Sequence, residues 1–157
     1  MPTYKNPTNA RIVATPEGAT DLAVNPQVFD FANTAYRPSS LVNTDKIEVG
    51  VVPAGYVLVE HLSAIRIPQI DSNGTPTGQA SIGTAAVPAA LRAAGVVNAA
   101  LTLTGEDFTL TNGPIGSRTA DTPIYLTFTA NVATTVTTGK IRADLAIRPW
   151  NAAIDGT

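Results

Sequence analysis

The amino-acid sequence predicts an all-β fold, an antiparallel β-sandwich or jelly roll with one short helix and an extended N-terminal arm. The chain has 157 residues, a length that suits one domain with an appendage. Hydrophobic residues make up 44% of the chain but aromatic residues only 6%, so we expect a core of Val, Ile, Leu and Ala. Short runs that alternate apolar and polar residues, separated by turns rich in Gly, Pro and Asn, are typical of sandwiches.

Residues 1–43 have the features of an extended arm that lies outside the regular strands. Proline lacks an amide donor and restricts the residue before it, which disfavours helix and central strand. The arm has proline at positions 2, 7, 16, 26 and 38. Its second half carries Phe29, Phe31 and Tyr36, which need an apolar surface to cover them. That surface belongs either to the chain's own sandwich or to a neighbouring subunit, and the sequence leaves both open.

Clear strand signals begin at Lys46, so residues 44–157 are predicted to form the sandwich and a short C-terminal tail. In the first strand, 46–52, alternation puts Ile47, Val49 and Val51 on one face and Gly50 on the other. The last strand, 140–148, alternates best, and its predicted inward residues are Ile141, Ala143, Leu145 and Ile147. Further strands are predicted over 56–67, with a bulge at Glu60 and His61, and over 79–84, 100–104, 108–111 and 123–132.

The one short helix is predicted over residues 85–95. Ala and Leu are good helix formers, and this segment contains six Ala and one Leu. Pro88 suits a first helical turn and Gly95 suits a C-terminal cap.

Charge and hydropathy argue against two classes of partner. Charged residues make up 14% of the chain and the net charge is −2, so a basic nucleic-acid-binding face is not expected. The most apolar stretch, 85–101, is interrupted by Pro88 and Arg92 and is shorter than the ~20 residues that cross a bilayer. No membrane partner is expected either. Because the N-terminus lacks the apolar segment of a signal peptide, we expect a soluble product of the cytoplasm.

The sequence offers no candidate catalytic, cofactor-binding or metal site. It has no Cys and a single His, which removes thiolate nucleophiles and most zinc sites. His61 lies in an apolar run without a G-x-S-x-G motif, so a partly buried structural His is expected. Glu106 and Asp107 are adjacent carboxylates at a predicted hairpin tip, where acidic residues are common in turns. Residues 71–75 resemble a calcium loop but lack the later Glu that an EF-hand needs. We therefore expect no enzyme activity.

Four short segments resemble, in order and spacing, a pattern found in virion proteins of tailed bacteriophages. The run IEVGVVPAGYVLVEHL at 47–62 has a strand, a Pro-Ala-Gly turn and a second apolar strand. It is followed by ASIG at 80–83, TADTP at 119–123 and GKIR at 139–142. The resemblance extends over 45–148, about two-thirds of the chain.

The resemblance implies a small structural virion protein, specifically a capsid decoration (cement) protein. Such a protein is expected to be a β-sandwich that forms a homotrimer and binds the major capsid protein on the outer capsid surface, after synthesis in the host cytoplasm. The family has no catalytic residues to transfer to this chain. As candidate docking residues we take Phe29, Phe31, Tyr36 and Trp150, of which Trp150 either closes the open end of the sandwich or anchors to a partner.

Two other functions stay open at this stage. A head- or tail-fibre domain would also be rich in Thr and Gly, although fibre chains are usually longer and carry repeats or a trimeric shaft. A carbohydrate-binding module would present several Trp or Tyr on one flat face, whereas this chain has one Trp and four Tyr.

Overall fold

A computed structural model describes the chain over residues 1–7, 23–73, 75, 77–108 and 113–156, apart from the side chains of Ala23 and Asn25. These residues form two facing, mostly antiparallel sheets and one short helix, which confirms the predicted all-β sandwich. The strands are β1 (Thr3–Tyr4), β2 (Ala23–Asp30), β3 (Lys46–Val52), β4 (Tyr56–Leu58), β5 (Ala64–Ile67), β6 (Gln79–Gly83), β7 (Arg92–Val96), β8 (Leu101–Thr104), β9 (Gly116–Ser117), β10 (Thr122–Ala130) and β11 (Lys140–Pro149). Two 3₁₀ turns, Glu60–Leu62 and Gly105–Asp107, and the helix α1 (Ala152–Asp155) complete the elements. No helix within these described ranges is long and apolar enough to cross a bilayer.

The first sheet has the strand order β1-β3-β10-β6-β7, and the second has the order β8-β5-β11-β4-β9, with β2 also paired to β11. β2 pairs with β11 from Lys140 to Ile147. Because that pairing occupies one side of β11, strands β5 and β4 share its other side, at 142–144 and 147–149. β11 is therefore the central strand of the second sheet.

The inward residues predicted for β11 are confirmed. Ile141, Ala143, Leu145 and Ile147 are all fully buried. For the predicted strand 123–132, the sequence alternation also predicts Ile124, Leu126, Phe128 and Ala130 to face inward. The first three belong to the same core, whereas Ala130 is only half-buried.

β3 has the predicted bounds, and Ile47 and Val49 belong to the core as predicted, but the predicted faces are wrong from Gly50 onward. Ile124 of β10 pairs with Gly50, whereas the next residue of β10 pairs with Glu48, so Val49 is an extra residue that forms a β-bulge. Opposed residues point to the same face, so Gly50 faces the core with Ile124. A Cβ on Gly50 would lie 2.7 Å from Leu145 Cδ1, so a larger residue here would force the Leu145 side chain to shift.

The predicted interruption of the run 56–67 is confirmed in position, but it is a 3₁₀ turn between β4 and β5 and not a bulge. Ser63 replaces the missing strand pairing at this point. The Ala146 N–H donates to Ser63 Oγ over 2.9 Å, and the Ser63 hydroxyl donates to the Val59 carbonyl over 2.8 Å. The Val59 N–H donates back to the Ala146 carbonyl over 2.7 Å.

The helix predicted over 85–95 is wrong, because the second half of this segment belongs to the edge strand β7. The Leu91 N–H donates to the Ile82 carbonyl over 2.9 Å as β7 approaches β6. The preceding loop closes tightly on Gly83, where a Cβ would lie 2.2 Å from the Val87 carbonyl oxygen. Helix propensities differ by less than about 1 kcal/mol per residue, so these tertiary contacts override them. The short helix lies instead in the C-terminal tail, as α1.

The boundary expected at residue 43 does not mark the start of the sandwich. Ala23–Asp30 is strand β2, which pairs with β11 over eight residues. Residues 1–7 contact the sandwich as well, since β1 pairs in parallel with β3. Residues 8–22 of the expected arm lie outside the described residues.

Candidate docking surfaces

Three of the four candidate docking residues form an aromatic cluster inside the sandwich. Phe29 and Phe31 are fully buried, and their ring centroids lie 5.2 Å apart in an edge-to-face arrangement. The half-buried Tyr36 packs its ring 5.0 Å from that of Phe29, and its hydroxyl accepts the Asp30 N–H over 3.3 Å. The alternative that these aromatics lie on the chain's own sandwich is therefore the one observed. The expectation that they need a neighbouring subunit to cover them is corrected.

Trp150 is half-buried and belongs to a tightly held C-terminal hook, residues 148–156. Its backbone N–H donates to the Gly55 carbonyl over 2.9 Å, and its indole N–H donates to the Gly156 carbonyl over 3.2 Å. Trp150 is therefore held beside the turn after β3 by hydrogen bonds within its own chain, and it does not belong to the core cluster. Its role as a docking residue stays a prediction.

A bidentate ion pair fixes the same hook. Arg148 Nη1 and Nη2 lie 2.7 and 2.5 Å from the two carboxylate oxygens of Asp155, whose side chain is only 3% exposed. The hydrogen bond with Arg148 lowers the pKa of Asp155 and raises that of the guanidinium. The Asn151 side chain accepts the Ala153 N–H over 3.0 Å and so caps α1. Ile154 is left 72% exposed on this fixed helix.

Asp71 is a buried carboxylate that binds backbone N–H groups of its own loop. Its oxygens accept the backbone N–H groups of Asn73, Thr77 and Gly78 over 3.1, 3.0 and 2.8 Å. Burial alone would raise the pKa of Asp71, but these hydrogen bonds, with a further one from Ala133, outweigh it and lower the pKa. The sequence showed only an Asp-Ser-Asn-Gly turn, so this role was missed.

Charged side chains on the outer face of the second sheet pair with one another. Arg66 and Arg142 lie 2.9 and 3.0 Å from the Asp144 carboxylate, and Lys140 lies 3.1 Å from Asp30. Both Arg side chains are more than half exposed, so each pair contributes little to stability, about 0–1 kcal/mol. The three cations named here share two carboxylates, and each of the three is paired.

The residues examined for catalysis have structural positions. His61 is exposed on the first 3₁₀ turn, so the expectation that it is partly buried is wrong. Asp107 Oδ2 accepts the Thr104 N–H over 2.9 Å and closes a capping box on the second 3₁₀ turn. In the described part of the chain, no group of three or more His, Asp or Glu side chains has a geometry that could hold a metal ion.

An open cleft of about 310 Å³ lies between the loop 84–90 and residues 113–116. Its lining is mostly backbone and small apolar side chains, such as Ala86 and Pro114. The one carboxylate in it, Asp121, accepts the Ala54 N–H over 3.1 Å. Besides Asp121, the polar side chains that line the cleft are those of Thr84 and Thr122.

The edge strands β2 and β7 differ in how well they are protected against pairing with a further strand. On β2, Pro26 removes a backbone donor and the Asn6 side chain donates to the Val28 carbonyl over 2.9 Å. On β7, the exposed residues are Ala93, Ala94 and Val96, and they include no charge or proline.

Comparison with known proteins gives a likeness in fold. No protein-family model matches the sequence. No curated protein matches it either. A chain in the capsid structure of Ralstonia phage GP4 aligns with a TM-score of 0.59 and 22% identity, covering 90% of this chain and 92% of that one. A chain in the capsid asymmetric unit of cyanophage Pam1 aligns with a TM-score of 0.58 and 20% identity, covering 92% of this chain and 97% of that one. The sandwich is therefore a fold that also occurs in phage capsids.

Proposed function

We propose that this protein is a structural component of a tailed-bacteriophage capsid. The observation that carries the proposal is the match in fold to two chains from phage capsid structures, which spans at least 90% of each chain compared. A match over nearly the whole of both chains concerns the complete sandwich and not a shared hairpin. A fold alone does not fix a function, so the sequence pattern supplies the second support.

The four segments of that pattern lie at strands and turns that define the sandwich. Residues 47–62 cover β3, the turn at Gly55, β4 and the first 3₁₀ turn. The other three segments lie in β6, at the start of β10 and at the start of β11. β10 and β11 supply the middle of the core.

Within the capsid, the proposed role is that of a decoration (cement) protein on the outer surface. It would act as a homotrimer that binds the major capsid protein and stabilises contacts between its subunits, after synthesis in the host cytoplasm. A cement role requires a rigid body, and the described termini are fixed: β1 is paired to β3, and the Arg148–Asp155 ion pair holds the tail. No nucleic acid and no membrane are expected as partners.

We also propose that the protein is not an enzyme. The support comes from the positions of its polar groups: Asp71 and Asp107 bind backbone N–H groups, Asp155 and Asp144 bind arginines, and His61 lies on an exposed turn.

Reconstitution on capsids tests the function. Particles of the encoding phage, assembled without this protein, are mixed with the purified chain and separated by sedimentation. We expect saturable binding and a higher temperature of capsid disruption. Light scattering should show a mass about three times the 16.2 kDa of one chain. Binding to purified tails but not to capsids would favour a fibre domain and contradict the proposal.

A further inference from the structure

The edge strand β7 has the features of a docking site. Among the described residues it pairs only with β6, through Gln79–Val96, Ala80–Gly95 and Ile82–Arg92. Its other side therefore carries backbone groups that a further strand can pair with. Val96 is 49% exposed on this strand.

Arg92, at the start of β7, carries a guanidinium nitrogen without an acceptor. Its Nη1 is buried and makes no hydrogen bond. The guanidinium packs against Gly95, where a Cβ would lie 3.0 Å from Nη2. A buried, unpaired donor of a charged group is costly. Turning the Arg92 side chain outward to a carboxylate removes this cost, because the two groups pair through charge-assisted hydrogen bonds.

Most carboxylate side chains among the described residues are engaged elsewhere. Those bound to cations or backbone N–H groups are Asp30, Asp45, Asp71, Asp107, Asp121, Asp144 and Asp155. Glu17 and Asp21 lie outside the described residues. We take the acceptor for Arg92 to come from another protein.

From these observations we infer that β7 receives an extended segment of a capsid subunit, which adds to the first sheet as a further strand and brings an Asp or Glu side chain to Arg92. Small side chains at Ala93 and Ala94 leave room for such a strand, and Val96 offers it an apolar contact. Strand addition obtains affinity from main-chain hydrogen bonds and specificity from side-chain contacts, here the Arg92 ion pair. The inference rests on the proposed capsid function and names the surface through which it acts.

Capsid reconstitution with β7 variants tests the inference. Val96→Lys places a charge on the strand edge, and Arg92→Gln removes the cation with little change in size. Each should weaken binding to the capsid at least about tenfold, a difference of about 1.4 kcal/mol. Arg92→Lys, which keeps the charge but not the planar fork, should lose less than Arg92→Gln.

Val42→Lys is the matched control. Val42 is 42% exposed and lies in the loop before β3, so the same substitution there should leave binding unchanged. If Val96→Lys does not fold, Ala93→Lys tests the same edge at an exposed position.

Failure of the wild-type protein to bind capsids would contradict the proposed function itself. If the wild-type protein binds capsids and the folded variants Val96→Lys and Arg92→Gln bind equally well, the inference about β7 is wrong and the proposed capsid function stands. If the variants dissociate the oligomer but still bind capsids normally, β7 joins copies of this chain, and the inference is wrong.

Discussion

Phe29→Ala should destabilise the sandwich strongly, because Phe29 is a core residue and not a docking residue. The ring is fully buried and packs edge-to-face against Phe31 and Tyr36, at 5.2 and 5.0 Å between centroids. It lies on β2, opposite Ile141 of the central strand β11. Removing it leaves a cavity that neighbouring strands cannot close without breaking their pairing.

The expected loss in the free energy of unfolding is about 3–5 kcal/mol, the usual cost of truncating a buried Phe. In a domain of this size one kcal/mol shifts the melting temperature by about 2–4 °C, so we expect Tm to fall by about 6–20 °C. Thermal and urea denaturation, followed by far-ultraviolet circular dichroism, measure both quantities.

Tyr36→Phe is the control for this experiment. It keeps the ring contact and removes only the hydroxyl that accepts the Asp30 N–H over 3.3 Å, so its cost should stay below about 1.5 kcal/mol. Two results together would refute the reasoning: a Phe29→Ala protein with a Tm within about 2 °C of the wild type, and loss of its capsid binding. Phe29 would then act outside the core.

Four further substitutions probe other parts of the structure. Asp71→Asn should cost about 1.5–3 kcal/mol, since the amide cannot replace both acceptor oxygens. Because the pKa of Asp71 is lowered in the folded protein, its contribution to the free energy of unfolding is complete above the unfolded pKa of about 3.9 and is lost as the pH falls through the folded pKa. The stability of the variant should therefore depend less on pH in acid than that of the wild type. An equal dependence on pH would contradict this. Gly50→Val should lower the free energy of unfolding by about 1–3 kcal/mol, because the new side chain clashes with Leu145. An unchanged Tm would argue against that packing. Arg148→Gln should release α1, seen as lost hydrogen-exchange protection in the tail with most of the sandwich unaffected. His61→Ala should change neither Tm nor capsid binding, and a selective loss of binding would show that this exposed turn has a function.

The strongly patterned strands could be predicted from the sequence, because local alternation and burial agree there. In β11 every second residue from Ile141 to Ile147 is apolar and fully buried. In β3 the same rule failed beyond the bulge, since a single extra residue, Val49, reverses the faces. The alternation of residues 46–52 does not mark that bulge, which is visible only in the pairing of β3 with β10.

Strand β2, which carries Phe29, was not predicted because it lacks the usual alternation. Gln27 points inward with Phe29 and is 1% exposed, donating to the Val51 carbonyl over 3.2 Å. An inward polar residue and Pro26 together make the segment resemble a loop. Only its pairing with β11, more than a hundred residues later in the chain, determines it as a strand.

The surface inferred from β7 could not be predicted from the sequence either. An Ala-rich segment favours helix by propensity, whereas pairing of Ala80 with Gly95 makes it an edge strand. The unpaired nitrogen of Arg92 is a property of the folded neighbourhood and has no signature in the sequence.

Cryo-electron microscopy of virions of the encoding phage tests the central claim most directly. The capsid reconstruction is compared between particles that contain this protein and particles that lack it. Decoration of the capsid predicts difference density on the outer surface of the shell, arranged as trimers, into which the two-sheet sandwich fits as a rigid body. A complete shell without that density, or the sandwich found only in the tail or forming the continuous shell itself, would contradict it.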